Sequence, residues 1–366
     1  MTNMARRLQS DKILFGTVMA LTLFGALMVF SASAVVATEK FGSGNYFLVR
    51  QLAWAGAGFV ALVAMMYLDY RRLSSPAVVF PALAVQWMLL VGVLFADRSH
   101  NTRRWLHLGA ASLQPSELSK IILVLFLAYF LEQRQGAVND VKHTLLPVGL
   151  IAGASMALVV AEPDFGTAVD ISLIVAAMLF VAGVRLKYFA SVALGAIPVA
   201  GWLVFHSTYR HNRLLAFLNP YADPLGKGFH IIQSFIAVGT GGITGVGLME
   251  GKQKLFYLPE PHTDFIFAVV SEELGFIGAF ALVAAFGIIF WRGWKASAGC
   301  TCEFGRLLAI GLTVMVVGQA LVNMSVVLGL LPTKGIPLPL ISYGGSSLFV
   351  TLAAVGILLN ISQDVG

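Results

Sequence analysis

Charge is what this sequence has least of. Asp, Glu, Lys and Arg make up 11% of its 366 residues, whereas 58% are hydrophobic and the mean hydropathy is +0.83. A soluble domain carries roughly 25% charged residues. A soluble fold is therefore excluded, and the chain reads as a polytopic membrane protein. Cysteine is scarce too. Cys300 and Cys302 are one residue apart, too close for an ordinary disulfide and too few for a zinc site, and we read them as bystanders. The net charge of +6 would in isolation suggest nucleic acid. Dispersed between apolar runs, it suits orientation and anionic headgroups instead, and nucleic acid is not an expected partner. No cleavable signal is evident: Arg6, Arg7 and Lys12 precede an apolar run longer than a signal-peptide core.

Apolar length and glycine are abundant. The 37 glycines fit membrane helices that approach closely or break. A bilayer core takes about 20 apolar residues per helix. Ten such runs are present, at residues 13–35, 52–67, 78–95, 117–130, 145–160, 166–182, 188–205, 265–290, 307–330 and 347–359. The expected fold is all-α, with about ten transmembrane helices forming a single transmembrane domain over residues 1–366. One large extracytoplasmic loop, 207–263, separates spans 7 and 8. An even count puts both termini on one side. Twelve of the 24 basic residues fall on that side: Arg6, Arg7, Lys12, Arg71, Arg72, Arg134, Lys142, Arg185, Lys187, Arg292, Lys295 and Arg306. Of the rest, Arg210, Arg213, Lys227, Lys252 and Lys254 share the one long loop. Short loops carry the orientation signal, so both termini are expected in the cytoplasm.

The segments on the other side hold the chemistry. The stretch 257–278 begins polar, with Glu260, His262 and Asp264, and runs into an apolar helix bearing Glu272 and Glu273. Ionisable groups at membrane depth are functional candidates. Asp264 is the candidate base, although Thr263 and Asp264 before an apolar run also read as a helix cap. Glu272 lies about 12 Å further along the helix and some 80° around it, where it can support a shared cavity. Glu273 points almost opposite and is expected to meet another helix.

In QPSELSK, Pro115 marks a helix start, and Glu117 and Lys120 share a face. They are either a cap with a snorkelling lysine or a charged pair lining a cavity. In EPDFGT, Pro163 ends one helix and Asp164 caps the next. Asp170 then sits inside a span and needs a partner or water. Within the long loop, 229–238 is apolar enough to lie on the membrane as a short helix. GTGGITGVG is either a flexible hinge or a backbone anion nest. Residues 331–346 hold three prolines and three glycines, so they must fold into protein or line a wet cavity. Lys334 would bring positive charge there, beside the acids of the eighth span.

These blocks, namely QPSELSK (114–120), EPDFGT (162–167), FLNPYADP (217–224), LPEPHTDFIFAVVSEELGFIG (258–278), PTKG (332–335) and ISYGGSS (341–347), resemble the signature blocks of the SEDS family (shape, elongation, division and sporulation). They occur in the family's order across the whole membrane region. PTKG before ISYGGSS, and the RWLHLG…LQPSE phrasing, resemble the FtsW branch more than the RodA branch.

The resemblance implies a ten-span peptidoglycan glycosyltransferase of the bacterial cytoplasmic (inner) membrane. It would polymerise lipid II, the undecaprenyl-diphosphate-linked disaccharide-pentapeptide, on the outer face during division or elongation. The implied partners are a class B penicillin-binding protein, which acts as transpeptidase, and other division or elongation proteins. The position matching the family's proposed catalytic acid is Asp264, and Glu117, Lys120 and Asp164 are implied to border its cavity. His262, Glu260, Ser342 and Tyr343, within the signature blocks, join the substrate-binding candidates, and Thr263 joins Glu272 as support.

Two diphosphates call for Arg and Lys. The outer candidates are Arg103, Arg104, Arg210, Arg213, Lys227 and Lys334, with Arg213 and Lys334 foremost because they fall in or beside signature blocks. A divalent cation, Mg2+ or Mn2+, is compatible with a diphosphate, but no ligand cluster marks a site. The alternatives are a flippase for the lipid-linked precursor and a non-catalytic scaffold for the transpeptidase. No internal repeat or paired half-helices are evident and the acids gather toward one face, which favours surface chemistry over a midplane path.

Overall fold

The computed structural model describes residues 10–96, 104–108, 111–255 and 257–364. In chain order its helices are α1 (Lys12–Phe41), α2 (Tyr46–Tyr67), α3 (Pro76–Ala96), α4 (Pro115–Glu132), α5 (Leu146–Ala161), α6 (Phe165–Val181), α7 (Leu186–Phe205), α8 (Thr208–Leu218), α9 (Phe229–Gly241), α10 (Ile266–Gly299), α11 (Glu303–Val327) and α12 (Gly345–Ser362). Each of the ten apolar runs falls in a helix, and α8 and α9 lie within the long loop. Among the described residues, seven helices are long and apolar enough to cross a membrane. The other three runs lie in α4, α6 and α7. At 17 residues, α6 extends about 26 Å, close to the roughly 30 Å of a bilayer core. α4 carries Glu117 and Lys120. Between α3 and α4, Leu106–Leu108 and Ala111–Leu113 pair as antiparallel strands β1 and β2, Leu106 opposite Leu113.

Local chemistry sets the ends. The Asp11 carboxylate accepts the amides of Ile13 and Leu14 at 3.1 and 3.0 Å to start α1, and Gly42, at φ 70°, ends it. Pro115 occupies the first turn of α4, where its missing N–H costs nothing.

The core is centred on α11, which packs on α4, α6, α10 and α12 and buries 83% of its most apolar window. The outer helices turn large apolar side chains outward, among them Val60 and Phe95, as helices do against lipid. α7 packs on α8, and none of its described side chains is buried. Both ends of the described chain meet at one end of the bundle. There the Asp11 amide donates to Ser362 Oγ (3.3 Å), Arg292 pairs with Asp11, and Tyr70 Oη donates to Asp364 (2.8 Å). An even number of crossings requires this. Cys300 and Cys302 are free at the same end, with their sulfurs 3.8 Å apart.

At Gly275, φ 65°, α10 is broken. An unbroken helix would bond the amides of Phe276 and Ile277 to the carbonyls of Glu272 and Glu273. Instead, Phe276 donates to Gly242 O (2.9 Å) and Ile277 to Ile243 O (3.2 Å). The freed carbonyls of Glu272 and Glu273 accept from Val246 (3.1 Å) and Gly247 (3.0 Å). The glycine-rich segment is therefore neither hinge nor anion nest, because its polar backbone repairs the ladder of α10. Close approach requires the glycines. A Cβ on Gly241 would stand 1.9 Å from Ser271 O, and one on Gly275 would stand 2.3 Å from the Gly245 amide.

α9 differs from expectation in the same way. Its Ile231 and Ala237 are buried, and Ser234 Oγ donates to Val327 O at 2.7 Å, so it belongs to the bundle and does not rest on the membrane surface. Gly275→Ala, in a left-handed position with no room for a methyl, should destabilise the protein by about 2 kcal/mol or more. Thermal melts in detergent check this, and an unshifted midpoint would show that the exchange contributes little.

Candidate active site

Asp264 ends the loop that precedes α10. The helix begins at Ile266 after Phe265, with no side-chain cap bond, so Asp264 does not cap it, contrary to the sequence expectation. Thr263 Oγ1 turns back to donate to Glu260 O at 3.2 Å. The Asp264 carboxylate has no hydrogen-bond partner among the described residues and opens into a cavity of about 420 Å³. Arg213 of α8, Lys227 and His230 at the start of α9, Glu260, and Thr333–Gly335 form the other walls. Gly335 leaves the carboxylate its space, since a Cβ there would stand 3.0 Å from Asp264 Oδ2. Arg213 also donates to Thr333 O at 3.2 Å, tying α8 to the PTKG loop.

The backbone beneath Asp264 is clamped from two sides. Asn323 of α11 donates from one amide nitrogen to Asp264 O (2.9 Å) and to Ile336 O (2.7 Å). Ser342 Oγ donates to Thr263 O (2.6 Å) and accepts from the Leu338 amide (2.7 Å). The Tyr343 amide donates to His262 O at 2.8 Å. Ser342 and Tyr343 thus hold the loop and do not line the cavity. His262 lies buried against the rings of Phe47 and Tyr343, with centroids at 4.5 and 5.8 Å, and its Nε2 is 3.7 Å from Glu260. Sequence reasoning missed Asn323. Its signal was an amide four residues after Gln319, one polar face inside an apolar run.

Electrostatics follow from this geometry. Burial raises the Asp264 carboxyl to about 6, and Glu260 adds to the rise against the opposing fields of Arg213 and Arg104. Burial lowers the Lys334 ammonium below the usual lysine range, with Asp170 opposing. Burial likewise lowers His262. With both acids ionised, three cations (Arg213, Lys227, Lys334) face two carboxylates, so the cavity favours an anion.

A second polar cluster lies deeper, and its members do not line that cavity. Lys120 Nζ meets Glu117 at 2.8 Å and Gln319 Oε1 at 2.6 Å, with both charged residues buried. Gln319 in turn donates to Pro337 O at 2.9 Å. The i,i+3 pair is real, but it is a buried ion pair and neither a snorkelling lysine nor a cavity wall. Asp164 caps α6 as expected, accepting from the Thr167 amide (3.2 Å) and hydroxyl (2.8 Å) and from Gln114 (2.9 Å). Asp170 is buried, and both its oxygens lack partners among the described residues.

Other expectations change. Arg104 donates to Glu162 O at 3.2 Å and to Pro163 O, so it holds the EPDFGT turn. Arg210 stacks over Phe165 at 4.7 Å. Arg103 lies outside the described residues. Glu272 does not support the Asp264 cavity, because its carboxylate accepts the amides of Lys252 (2.8 Å) and Gln253 (3.2 Å). Glu273 does meet another helix, through Ser31 (2.7 Å), and also pairs with Lys254 (2.6 Å).

Glu162 was not singled out by sequence. It is fully buried without a side-chain partner among the described residues, and burial, reinforced by Asp164, pushes its carboxyl up to about 8. An acid whose folded value is raised penalises folding once pH exceeds the unfolded value, here 4.5, and the penalty grows until pH reaches about 8. Glu162→Gln should therefore raise the melting midpoint at pH 8, by on the order of 1–3 kcal/mol in stability, and leave it unchanged at pH 4. Melts at the two pH values check the sign.

Fold and site together define a multi-pass helical membrane protein with one unbonded carboxylate in a cation-rich cavity at one end of its bundle. The chain belongs to the FtsW/RodA/SpoVE family of cell cycle proteins, whose family model matches residues 11–365. Its relatives include a probable peptidoglycan glycosyltransferase FtsW of Trichlorobacter lovleyi, 45% identical over 98% of this chain and 95% of the relative. Stage V sporulation protein E of Bacillus subtilis is 41% identical over 98% of each chain. Among solved structures, a chain from a peptidoglycan synthase complex superposes with TM-score 0.80 at 33% identity, covering 98% of this chain and 99% of its own. The rod shape determining protein RodA of Thermus thermophilus superposes with TM-score 0.72 at 29% identity, covering 98% of each.

Proposed function

We infer that the chain is a peptidoglycan glycosyltransferase that joins lipid II units into glycan strands, with Asp264 as general base. The observation that carries the reading is the Asp264 carboxylate, free of hydrogen bonds and facing Arg213, Lys227 and Lys334 across one cavity. The acceptor hydroxyl attacks the donor's anomeric carbon, and Asp264 takes the hydroxyl proton. A new C–O bond forms as the bond to the diphosphate breaks. The electron pair leaves with the lipid diphosphate, whose charge the three cations offset. An α-linked donor and a β-linked polymer would mean inversion, which one displacement with one base accomplishes.

Glu117, Lys120, Gln319 and Asn323 act beneath the site by fixing the 332–342 segment and the Asp264 backbone. Glu260 shapes the cavity rim, and His262, Ser342 and Tyr343 hold the loop behind it. No group of three metal-ligating side chains occurs among the described residues, and the cavity brings two carboxylates. These donors do not fit a resident ion, so Mg2+ or Mn2+ would enter as the counter-ion of the diphosphate.

On this reading the chain lies in the cytoplasmic membrane with both termini inside and the cavity outside. Residues 1–366 form one domain, with the 207–263 loop as its cover. A class B penicillin-binding protein is the partner that would crosslink the product.

Purified protein with that partner and labelled lipid II in detergent tests the assignment. Asp264→Asn should cut polymerisation by about 10²- to 10⁴-fold while the folded fraction is kept, and unchanged polymer would remove Asp264 as the base. The base must be ionised to act. In the parent protein, kcat/KM should therefore fall about tenfold per pH unit below pH about 6, and a profile flat to pH 5 would contradict the assignment.

A further inference from the structure

Two groups in this molecule stand without partners on either side of one loop. Lys334 lines the Asp264 cavity half-buried, and its ammonium makes no hydrogen bond or ion pair among the described residues. Asp170 is 2% exposed, and neither carboxylate oxygen has a partner among the described residues. The fold brings them to the same place. Gly166, in the first turn of α6, lies against Ile336: a Cβ there would stand 2.6 Å from Ile336 Cγ1. The 333–337 loop therefore rests on that face of α6. Asp170 is four residues on, one turn deeper on the same face. That register puts it below the loop, whose backbone joins Ile336 to Lys334 through a 3.1 Å hydrogen bond.

The other charged groups near Asp170 are already committed. On α4, Lys120 is held by Glu117 and Gln319. At the head of α6, Asp164 is held by Thr167 and Gln114. Lys334, on the loop above, is the cation left over among the described residues. From the cavity side it faces the carboxylates of Asp264 and Glu260 and the charges of Arg213 and Lys227.

We propose that Asp170 is a positioning residue for Lys334, the counter-charge beneath the cavity that keeps the lysine an ammonium aimed at the diphosphate of the bound substrate. The proposal rests on the reading that Lys334 meets that diphosphate. Desolvation works against the charged form of a half-buried lysine, and the field of Asp170 opposes that loss. Without Asp170, the ammonium gives up its proton at lower pH. The cavity then loses a cation under alkaline conditions while Asp264, which does the chemistry, is untouched.

The test is polymerisation of labelled lipid II by the full chain with its transpeptidase partner, measured between about pH 6 and 10. In Asp170→Asn, the alkaline limb of kcat/KM should move down by about one pH unit. KM on that limb should rise about tenfold while kcat changes by less than about threefold. A guanidinium stays charged throughout this range, so in the Lys334→Arg background the Asp170→Asn change should leave the profile where Lys334→Arg alone puts it. A folded Asp170→Asn protein with the parent's profile overturns the proposal and leaves Asp170 a structural, water-bound carboxyl. So does an alkaline shift that persists with Arg at 334, because it would belong to another group. Lys334→Ala separates the two layers. If it leaves KM unchanged, the diphosphate reading of Lys334 falls and the role of Asp170 falls with it. If it raises KM while Asp170→Asn does nothing, the reading stands and only the Asp170 role is lost.

Discussion

Four backbone hydrogen bonds exchanged at Gly275 are the constraint on which the cavity end of the molecule rests. A helix broken at this depth strands amides and carbonyls where water is scarce, at a cost of several kcal/mol for each group left unpaired. The segment 241–247 supplies every missing partner in kind. Its register against α10 sets where the long loop leaves the bundle. Glu272 and Glu273 fasten the next few residues through Lys252, Gln253, Met249 and Lys254. Residues 257–264 are left with little freedom, and Asn323 and Ser342 take up the remainder. The position of Asp264 is thus determined mainly by groups that do not line its cavity.

The carboxylates divide into two populations by this logic. Asp164, Glu272 and Glu273 are each held in place by several donors. Asp264, Asp170 and Glu162 have no such bonds among the described residues: Glu162 lies in the EPDFGT turn, Asp170 in the second turn of α6, and Asp264 in the cavity that the PTKG loop lines. Unsatisfied acids are costly inside a membrane protein. Their concentration in one quarter of the bundle marks it as the place where stability has been given up for chemistry.

Much of this was legible in the residues. Ten apolar runs gave ten helices. Pro115 started α4, Asp164 capped α6, and the i,i+3 spacing of Glu117 and Lys120 produced their pair, because each of these signals acts within a few residues of itself. Asp264 lies 51 residues after Arg213 and 70 before Lys334, too far for any local signal to link them; the composition of 331–346 pointed to Lys334, and the family resemblance singled out Arg213. The role of the glycine segment was hidden: backbone-to-backbone bonds carry no side-chain signature, and glycine reads alike as hinge, nest or close contact. Glu272 was misassigned because helical geometry predicts its direction but not the loop that folds over to meet it. Asp264 as a cap failed for a comparable reason. A cap needs the chain to turn at that residue, and the turn here comes at Phe265, after the clamp on Asp264 O.

A helix as enclosed as α11 enters the bilayer before its enclosure exists. Its apolar length is ample for insertion, yet Gln319 and Asn323 then face lipid with their amides unanswered. They gain partners only when α4, the 332–342 segment and the start of α10 close around them. The same two side chains that later clamp the Asp264 region are therefore the ones that make partly assembled states unfavourable. Biogenesis and cavity geometry are thus coupled: a chain that has not completed the floor beneath Asp264 has also not completed its fold. Quality control that reads polar groups exposed to lipid would discriminate in effect between competent and incompetent enzyme.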